Sequence, residues 1–170
     1  MFIRALLLLL TTVSFAASAL EVGDAAPDFK LAASDGKTYE LADFKGKQAF
    51  VIAWFPRAYT SGCTIECKSL AENGALIRAF DVSYFMASVD PLADNIGFAK
   101  QQKADFPLLS DPEKQVAKAY GVLAAGGYAK RHTIYVDKQG VVSKIDQAVK
   151  PASSAEDMAA NLATLGVAAR

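Results

Sequence analysis

The sequence predicts one α/β domain in which a mixed β-sheet is flanked by helices. Two near-continuous apolar runs, residues 48–55 (QAFVIAWF) and 82–89 (VSYFMASV), have the length and composition of buried strands. Each run is followed by a segment with helical features, and the chain closes with a hairpin pattern and a last helix. This alternation is typical of an α/β sheet with a mixed strand order.

The first half of the chain places further elements around the first apolar run. Before it, residues 29–31 and 38–41 are predicted to be short strands joined by a turn. After it, residues 61–80 are predicted to be a helix that Gly74 weakens locally. The apolar side chains expected on the inner side of this helix are Ile65, Leu70, Leu76, Ile77 and Phe80.

The second half continues the alternation. Asp90-Pro91 opens a helix after the second apolar run, because proline is tolerated in the first turn of a helix. The remaining predicted elements, in chain order, are a strand at 107–110, a helix at 113–120, strands at 131–136 and 141–146, and a helix at 153–165. A turn over residues 137–140 (DKQG) joins the last two strands into a hairpin. A thioredoxin-like fold fits this order.

Residues 1–19 are predicted to be a secretory signal peptide. Arg4 supplies a positive start, residues 5–10 begin an apolar stretch, and Ala17-Ser18-Ala19 is a small-x-small cleavage site. The apolar stretch is shorter than the about 20 residues that a membrane-spanning helix needs, so a cleaved signal is favoured over an anchor. We expect one domain over residues 20–170, in the periplasm or secreted.

The charge balance argues against two classes of partner. The 18 Lys and Arg residues equal the 18 Asp and Glu residues in number, so no net charge draws the protein to nucleic acid or to an anionic membrane. We expect neither nucleic-acid binding nor stable membrane association, and a monomer or weak dimer.

The segment FPRAYTSGCTIECKSLAE, residues 55–72, contains the only two cysteines, Cys63 and Cys67. A strand that ends at Pro56, followed by a turn and a helix, places Cys63 at or near the first helical turn. The start of a helix carries a partial positive charge and unpaired N–H groups, and both favour a thiolate over a thiol. A fast thiol enzyme must also bind and polarise its electrophile, because lowering a thiol's pKa also lowers its nucleophilicity.

Three residues could bind such an electrophile. Thr60 lies three positions before Cys63, and Glu66 lies three positions after it. Arg131 follows a glycine-rich turn and would supply fixed guanidinium donors. Each residue also has a plainer interpretation, with Thr60 as a helix N-cap, Glu66 as a solvated helix residue and Arg131 as a surface arginine.

These residues resemble the active-site pattern of the peroxiredoxins, the alkyl hydroperoxide reductase/thiol-specific antioxidant superfamily. PRAYTSGCT, which includes Pro56, Thr60 and Cys63, parallels the P-x-x-x-T-P-G-C-T segment of the Q-type (bacterioferritin-comigratory-protein) subgroup. Other segments that resemble the family, in the family's order, are VGDAAPDFKL, DGKTYELADFKGK, LLSDPEKQVAKAYGV and RHTIYVDKQGVV. The resemblance covers almost the whole chain after the leader.

The resemblance implies a thiol-dependent peroxidase for hydrogen peroxide and organic hydroperoxides. Cys63 would attack the peroxide O–O bond and become a sulfenic acid. Thr60 and Arg131 would hydrogen-bond the thiolate and the peroxide, Pro56 would shield the pocket, and Glu66 would orient the arginine. An exported thiol reductant, either a thioredoxin-like protein or a small thiol, would recycle the enzyme. No cofactor and no metal are expected.

Cys67 departs from the family pattern, which often has a resolving cysteine five positions after the first. In an ideal helix, positions i and i+4 have Cα atoms about 6.2 Å apart, within the disulfide range. Their Cβ atoms are about 5–6 Å apart, against the roughly 3.5–4.5 Å that a disulfide needs. A Cys63–Cys67 disulfide would therefore require the first turn to unwind, and the bond would be readily reduced. A structural disulfide and a bystander Cys67 with an external resolving thiol remain alternatives.

A second class of function is also open, an exported thioredoxin-like copper-binding metallochaperone. The C-T-I-E-C pair and His132 would then supply two thiolates and an imidazole. This alternative leaves Pro56 and Thr60 unexplained. His132 also follows Arg131 directly on a predicted strand, so their side chains should point to opposite faces. A general thiol–disulfide oxidoreductase is less favoured because the sequence has no C-x-x-C motif.

Overall fold

The structure is a computed structural model that describes residues 19–170. The first 18 residues of the predicted signal peptide lie outside the described residues. The strands are β1 (Lys30–Ala33), β2 (Thr38–Glu40), β3 (Ala49–Trp54), β4 (Val82–Ser88), β5 (Leu108–Ser110), β6 (His132–Val136) and β7 (Val142–Asp146). The helices are α1 (Ser61–Glu72), α2 (Gly74–Arg78), α3 (Leu92–Gln102), α4 (Gln115–Ala119) and α5 (Ser154–Thr164), with short 3-10 helices at Leu41–Asp43 and Pro151–Ser153.

The strands form one seven-stranded sheet in the order β2-β1-β5-β4-β3-β6-β7. The central pairs β3–β4 and β4–β5 are parallel, as expected for strands connected through helices. The strands β1, β6 and β7 pair antiparallel with their neighbours. The predicted mixed sheet flanked by helices is therefore confirmed.

The central strand β3 is buried on both faces, which explains its continuous apolar sequence. Its even-numbered residues, such as Ile52 and Trp54, pack into a core on the side of α4, which we call the α4-side core. Its odd-numbered residues, such as Val51 and Ala53, pack on the other face beneath α1, α3 and α5, which we call the α1-side core. The two faces alternate because successive strand residues point in opposite directions.

The helix predicted over residues 61–80 is two helices, because the chain breaks at Asn73 between α1 and α2. Gly74 starts α2 in a tight place, where a Cβ atom would lie 2.5 Å from the Tyr84 hydroxyl oxygen. The expected inner position of Ile65 and Leu76 is wrong, since they are 48% and 46% exposed. The inner side of α1 instead carries Cys63, Glu66, Cys67 and Leu70, which recur at helical spacing.

Within residues 19–170, no helix is both long enough and apolar enough to span a membrane.

Candidate active site

Cys63 lies in the first turn of α1, directly after the loop that leaves β3. The loop runs from Phe55 to Thr60, and Thr60 is the N-cap residue of α1. The Thr60 carbonyl accepts the N–H of Thr64 at 2.9 Å, which closes the first turn. The Cys63 side chain is fully buried in the α1-side core. The partial positive charge at the start of α1 favours negative charge on its sulfur.

Arg131 reaches this cysteine from the residue before β6. β6 pairs with β3 in a register that sets His132 opposite Trp54, so Arg131 lies where β3 ends and the loop to α1 begins. Its Nη2 donates to Cys63 Sγ at 3.2 Å, and its Nη1 donates to Glu66 Oε2. One guanidinium therefore bridges the cysteine and a carboxylate that lie one helical turn apart.

Glu66 is fully buried, whereas the Arg131 side chain is 20% exposed. Burial raises the pKa of Glu66, the Arg131 guanidinium and the Ser154 hydroxyl counteract part of that rise, and the resulting pKa is about 7. Burial acts to lower the pKa of Arg131, but Glu66 and Cys63 raise it overall. The arginine therefore stays cationic and can donate to an anion throughout the neutral pH range.

Gly62 is a site residue that the sequence reasoning missed. A Cβ atom at this position would lie 3.1 Å from Arg131 Nη2, closer than nearly all real Cβ contacts. The missing side chain therefore leaves room for the guanidinium to reach the Cys63 sulfur. The glycine is visible in the sequence, but only the fold shows that Arg131 passes over it.

The structure places Thr60 and Pro56 in the loop before Cys63, and the two side chains differ in exposure. Thr60 is exposed, and its Oγ1 donates to the Arg57 carbonyl at 2.9 Å rather than to the sulfur. It makes no side-chain cap to α1. Pro56 is half-buried immediately after the buried Phe55. The Thr60 hydroxyl hydrogen is therefore engaged within the loop itself.

Cys67 lies one turn beyond Cys63 and is also fully buried, and both cysteines are free thiols. Burial, and to a smaller degree the charges of Glu66 and Cys63, together raise the pKa of Cys67 to about 12. Because the thiolate is the nucleophile, this raised pKa and the burial of Cys67 both disfavour its reaction at neutral pH in the conformation described.

His132 lies on the other face of the sheet. His132 and Ile134 are alternate residues of β6, so their side chains point to the same face of the sheet. Ile134 packs in the α4-side core. Both cysteines lie in the α1-side core, on the opposite face. Within the described part of the chain, no group of three or more His, Cys, Asp or Glu residues could hold a metal ion. The copper-chaperone alternative therefore has no support from this geometry.

Comparisons with known proteins agree on one family. The model of the AhpC/TSA family matches residues 22–145. Peroxiredoxin Bcp of Escherichia coli K12 is 35% identical over 103 residues, which are 61% of this chain and 65% of Bcp. Chloroplastic peroxiredoxin Q of Populus jackii is 34% identical over 125 residues, 72% of this chain and 58% of that protein. The match therefore spans less than two thirds of the length of each of these curated relatives, 65% of Bcp and 58% of peroxiredoxin Q.

Solved structures extend the similarity to nearly whole domains. Peroxidoxin BcpB from Mycobacterium tuberculosis superposes with a TM-score of 0.76 at 27% identity, over 85% of this chain and 97% of BcpB. The bacterioferritin comigratory protein of Xanthomonas campestris gives a TM-score of 0.75 at 25% identity, over 85% of this chain and 96% of that one. The predicted thioredoxin-like fold is thereby confirmed. The matched family model and these relatives, which are peroxiredoxins, show that the chain belongs to the AhpC/TSA family.

Proposed function

We propose that the protein is a thiol-dependent peroxidase that reduces hydrogen peroxide and organic hydroperoxides through Cys63. The observation that carries this proposal is the Arg131 guanidinium donating to Cys63 Sγ at 3.2 Å, at the start of α1. Membership of the AhpC/TSA family supports it. The X. campestris relative is described as having alkyl peroxide reduction activity, which supports the inclusion of organic hydroperoxides.

In the proposed reaction, the Cys63 thiolate attacks one oxygen of the peroxide. An S–O bond forms as the O–O bond breaks, and the departing oxygen takes up a proton and leaves as water or an alcohol. Cys63 becomes a sulfenic acid. Negative charge moves from the sulfur to the departing oxygen, so fixed donors contribute most in the transition state.

The chain supplies these donors from separate elements. Arg131 is held beside the sulfur by its second contact, with the buried Glu66. The Thr60 hydroxyl would turn from the Arg57 carbonyl to the peroxide, and Pro56 would limit the access of water to the pocket.

The sulfenic acid is proposed to be resolved by Cys67, as an intramolecular disulfide. The intact helix keeps the two Cβ atoms about 5–6 Å apart, which is too far for the roughly 3.5–4.5 Å of a disulfide. The first turn of α1 must therefore unwind. Unwinding also brings water to Cys67, whose pKa of about 12 in the closed conformation reflects mainly its burial. Resolution should consequently be slower than the first oxidation.

We expect one equivalent of peroxide to convert the wild-type protein to a species that has lost two hydrogens. A second thiol one turn away reaches a very high effective concentration once the sulfurs can meet. Intact mass after quenching at increasing times should show the sulfenic acid first and the disulfide later. A mass that rises by one oxygen and then stays constant would show that Cys67 does not resolve, and would leave a one-cysteine mechanism.

Cys67→Ser is the matched variant for this experiment. It should complete the first oxidation at the wild-type rate, accumulate sulfenic acid and pass to the sulfinic form with excess peroxide. An added small thiol should restore its turnover. If Cys67→Ser and the wild type gave the same oxidation products at the same rates, Cys67 would not be the resolving residue, and an external thiol would take that role.

His132→Ala tests the copper-chaperone alternative. Because His132 lies on the sheet face away from Cys63, we expect peroxide consumption to continue at a rate near that of the wild type. Copper titration of the same variant is the second measurement. Tight copper binding by the wild type that disappears in the variant, together with no peroxidase activity in either, would favour the chaperone.

We further propose that residues 1–19 direct export and that an exported thiol reductant recycles the enzyme. Support comes from Arg4, the apolar stretch that follows it and the Ala17-Ser18-Ala19 site. N-terminal sequencing of the protein recovered from the periplasm should begin at Leu20, and an intact N-terminus there would contradict cleavage.

A further inference from the structure

The loop before Cys63 is fastened to the β4–α3 region at two adjacent residues. The Ala58 N–H donates to Asp90 Oδ2 at 2.8 Å. The Tyr59 hydroxyl donates to the Asp94 carbonyl at 3.2 Å, and its ring meets the Phe98 ring edge-on with centroids 5.3 Å apart. The loop is therefore held from outside as well as by α1 itself.

We propose that Tyr59 is a positioning residue for Cys63, which acts by locking the loop onto α3. This inference rests on the proposed role of Cys63 and adds to it a residue that does not touch the reacting atoms. Tyr59 directly precedes Thr60, the N-cap of α1, so any shift of Tyr59 moves the start of the helix that carries the sulfur.

The backbone of Tyr59 adopts a strained conformation. Its φ is 67°, in the left-handed region that bulky side chains rarely adopt. Such a conformation persists only where the surroundings hold it. The Tyr59 side chain is nevertheless 51% exposed, so full burial does not hold it. The ring contact with the buried Phe98 is therefore the main restraint on the side chain, and the exposed hydrogen bond to the Asp94 carbonyl adds less.

Gly97 provides the space in which Tyr59 fits. A Cβ atom at Gly97 would lie 2.4 Å from the Tyr59 hydroxyl oxygen, and the next nearest atom, Tyr59 Cζ, would be 3.8 Å away. Glycine in the interior of a helix is unfavourable relative to alanine. The clash would involve only the hydroxyl oxygen, so replacing Tyr59 by phenylalanine should remove it.

Release of this lock should change two reactions of Cys63 in opposite directions. Reaction with hydrogen peroxide depends on the alignment of the sulfur with Arg131, and small misplacements of aligned groups are costly. Alkylation by iodoacetamide needs mainly an accessible thiolate, and Cys63 is fully buried in the locked state. A looser loop should therefore slow peroxide oxidation and speed alkylation.

The experiment is a double-mutant cycle of Gly97→Ala and Tyr59→Phe on the reduced full-length protein. Gly97→Ala displaces the tyrosine ring, and we expect peroxide oxidation to slow by about tenfold and alkylation to speed up by about tenfold. Tyr59→Phe keeps the ring on Phe98 and should change both rates only slightly. In the double variant the clashing oxygen is gone, so both rates should return to those of Tyr59→Phe.

Peptide sequencing of the alkylated protein separates positioning from general destabilisation. The label should appear on Cys63 and not on Cys67, which lies one turn deeper in α1. Label on both cysteines, unchanged rates in Gly97→Ala, or a double variant as slow as Gly97→Ala would each overturn the proposal. If Gly97→Ala does not fold, Tyr59→Gly is the alternative variant, because it removes the ring at a φ that glycine adopts freely. It too should slow peroxide oxidation and speed alkylation.

The rates of peroxide oxidation and of alkylation test the proposed function and the role of Tyr59 separately. A wild-type protein that does not react with peroxide would contradict the peroxidase assignment, while the alkylation rates would still decide whether Tyr59 locks the loop. A normal peroxidase whose alkylation rate does not respond to Gly97→Ala would contradict the lock alone.

Discussion

Cys63→Ser should abolish peroxide reduction and leave the fold intact. A serine hydroxyl remains protonated at neutral pH and is a far weaker nucleophile than a thiolate. Serine has nearly the same shape as cysteine, and its hydroxyl can accept the Arg131 hydrogen bond that Cys63 Sγ accepts at 3.2 Å. We therefore expect peroxide consumption at the uncatalysed rate, together with a far-UV circular dichroism spectrum like that of the wild type.

The matched control is Cys67→Ser, which makes the same substitution four residues later in the same buried helix face. It should retain the first oxidation, so the pair of variants separates loss of the nucleophile from disturbance of the core. Peroxide turnover by Cys63→Ser at a rate near that of the wild type would disprove the peroxidase assignment to this residue.

The order of strands and helices was predictable because the two central strands, β3 and β4, are nearly continuous apolar runs. The position of Cys63 was predictable for a local reason, since a strand, a proline and a turn precede it. The inner face of α1 was not predictable, because it carries the buried Glu66 while the apolar Ile65 beside it is exposed. The exposure of Leu76 in α2 was missed in the same way. Periodicity that counts only apolar residues misplaces a helix whose inner side carries functional polar groups.

The neighbours of the site come from distant parts of the chain, and local patterns do not show them. Ser154, at the start of α5, places its hydroxyl 3.5 Å from Glu66 Oε1, and Ser69 accepts the Ala155 N–H at 3.2 Å. The closing helix therefore packs directly behind the carboxylate that holds Arg131. The sequence predicted that α5 exists, but gave no signal that it contacts α1.

The contact between Arg131 and Cys63 was expected only through resemblance to a family. The two residues are 68 positions apart, and the pairing of β6 beside β3 brings them together. Resemblance carried no information about the direction of the Thr60 hydroxyl, which donates to the Arg57 carbonyl. Conformations of this kind depend on a few hydrogen bonds within the loop and not on its composition.

Arg131→Lys should slow peroxide reduction by about 10²-fold, comparable to the loss of one fixed donor in a transition state. The guanidinium uses two separate nitrogens, Nη2 for Cys63 and Nη1 for Glu66. A lysine ammonium keeps the charge but is a single point on a flexible stem, so it cannot hold both contacts in one plane. We expect little loss of stability. The measurement is the rate constant of the first oxidation, followed by intact mass, with thermal unfolding as the check on stability.

Arg78→Lys is the matched control, because Arg78 pairs with Asp105 at 2.7 Å where both side chains are more than 40% exposed. Surface ion pairs contribute little to stability, and Arg78 lies in α2, outside the Cys63 site. The control should therefore oxidise at the wild-type rate. If Arg131→Lys also did so, the 3.2 Å contact with the sulfur would have no part in the reaction. Catalysis would then depend on the start of α1 and the loop before it.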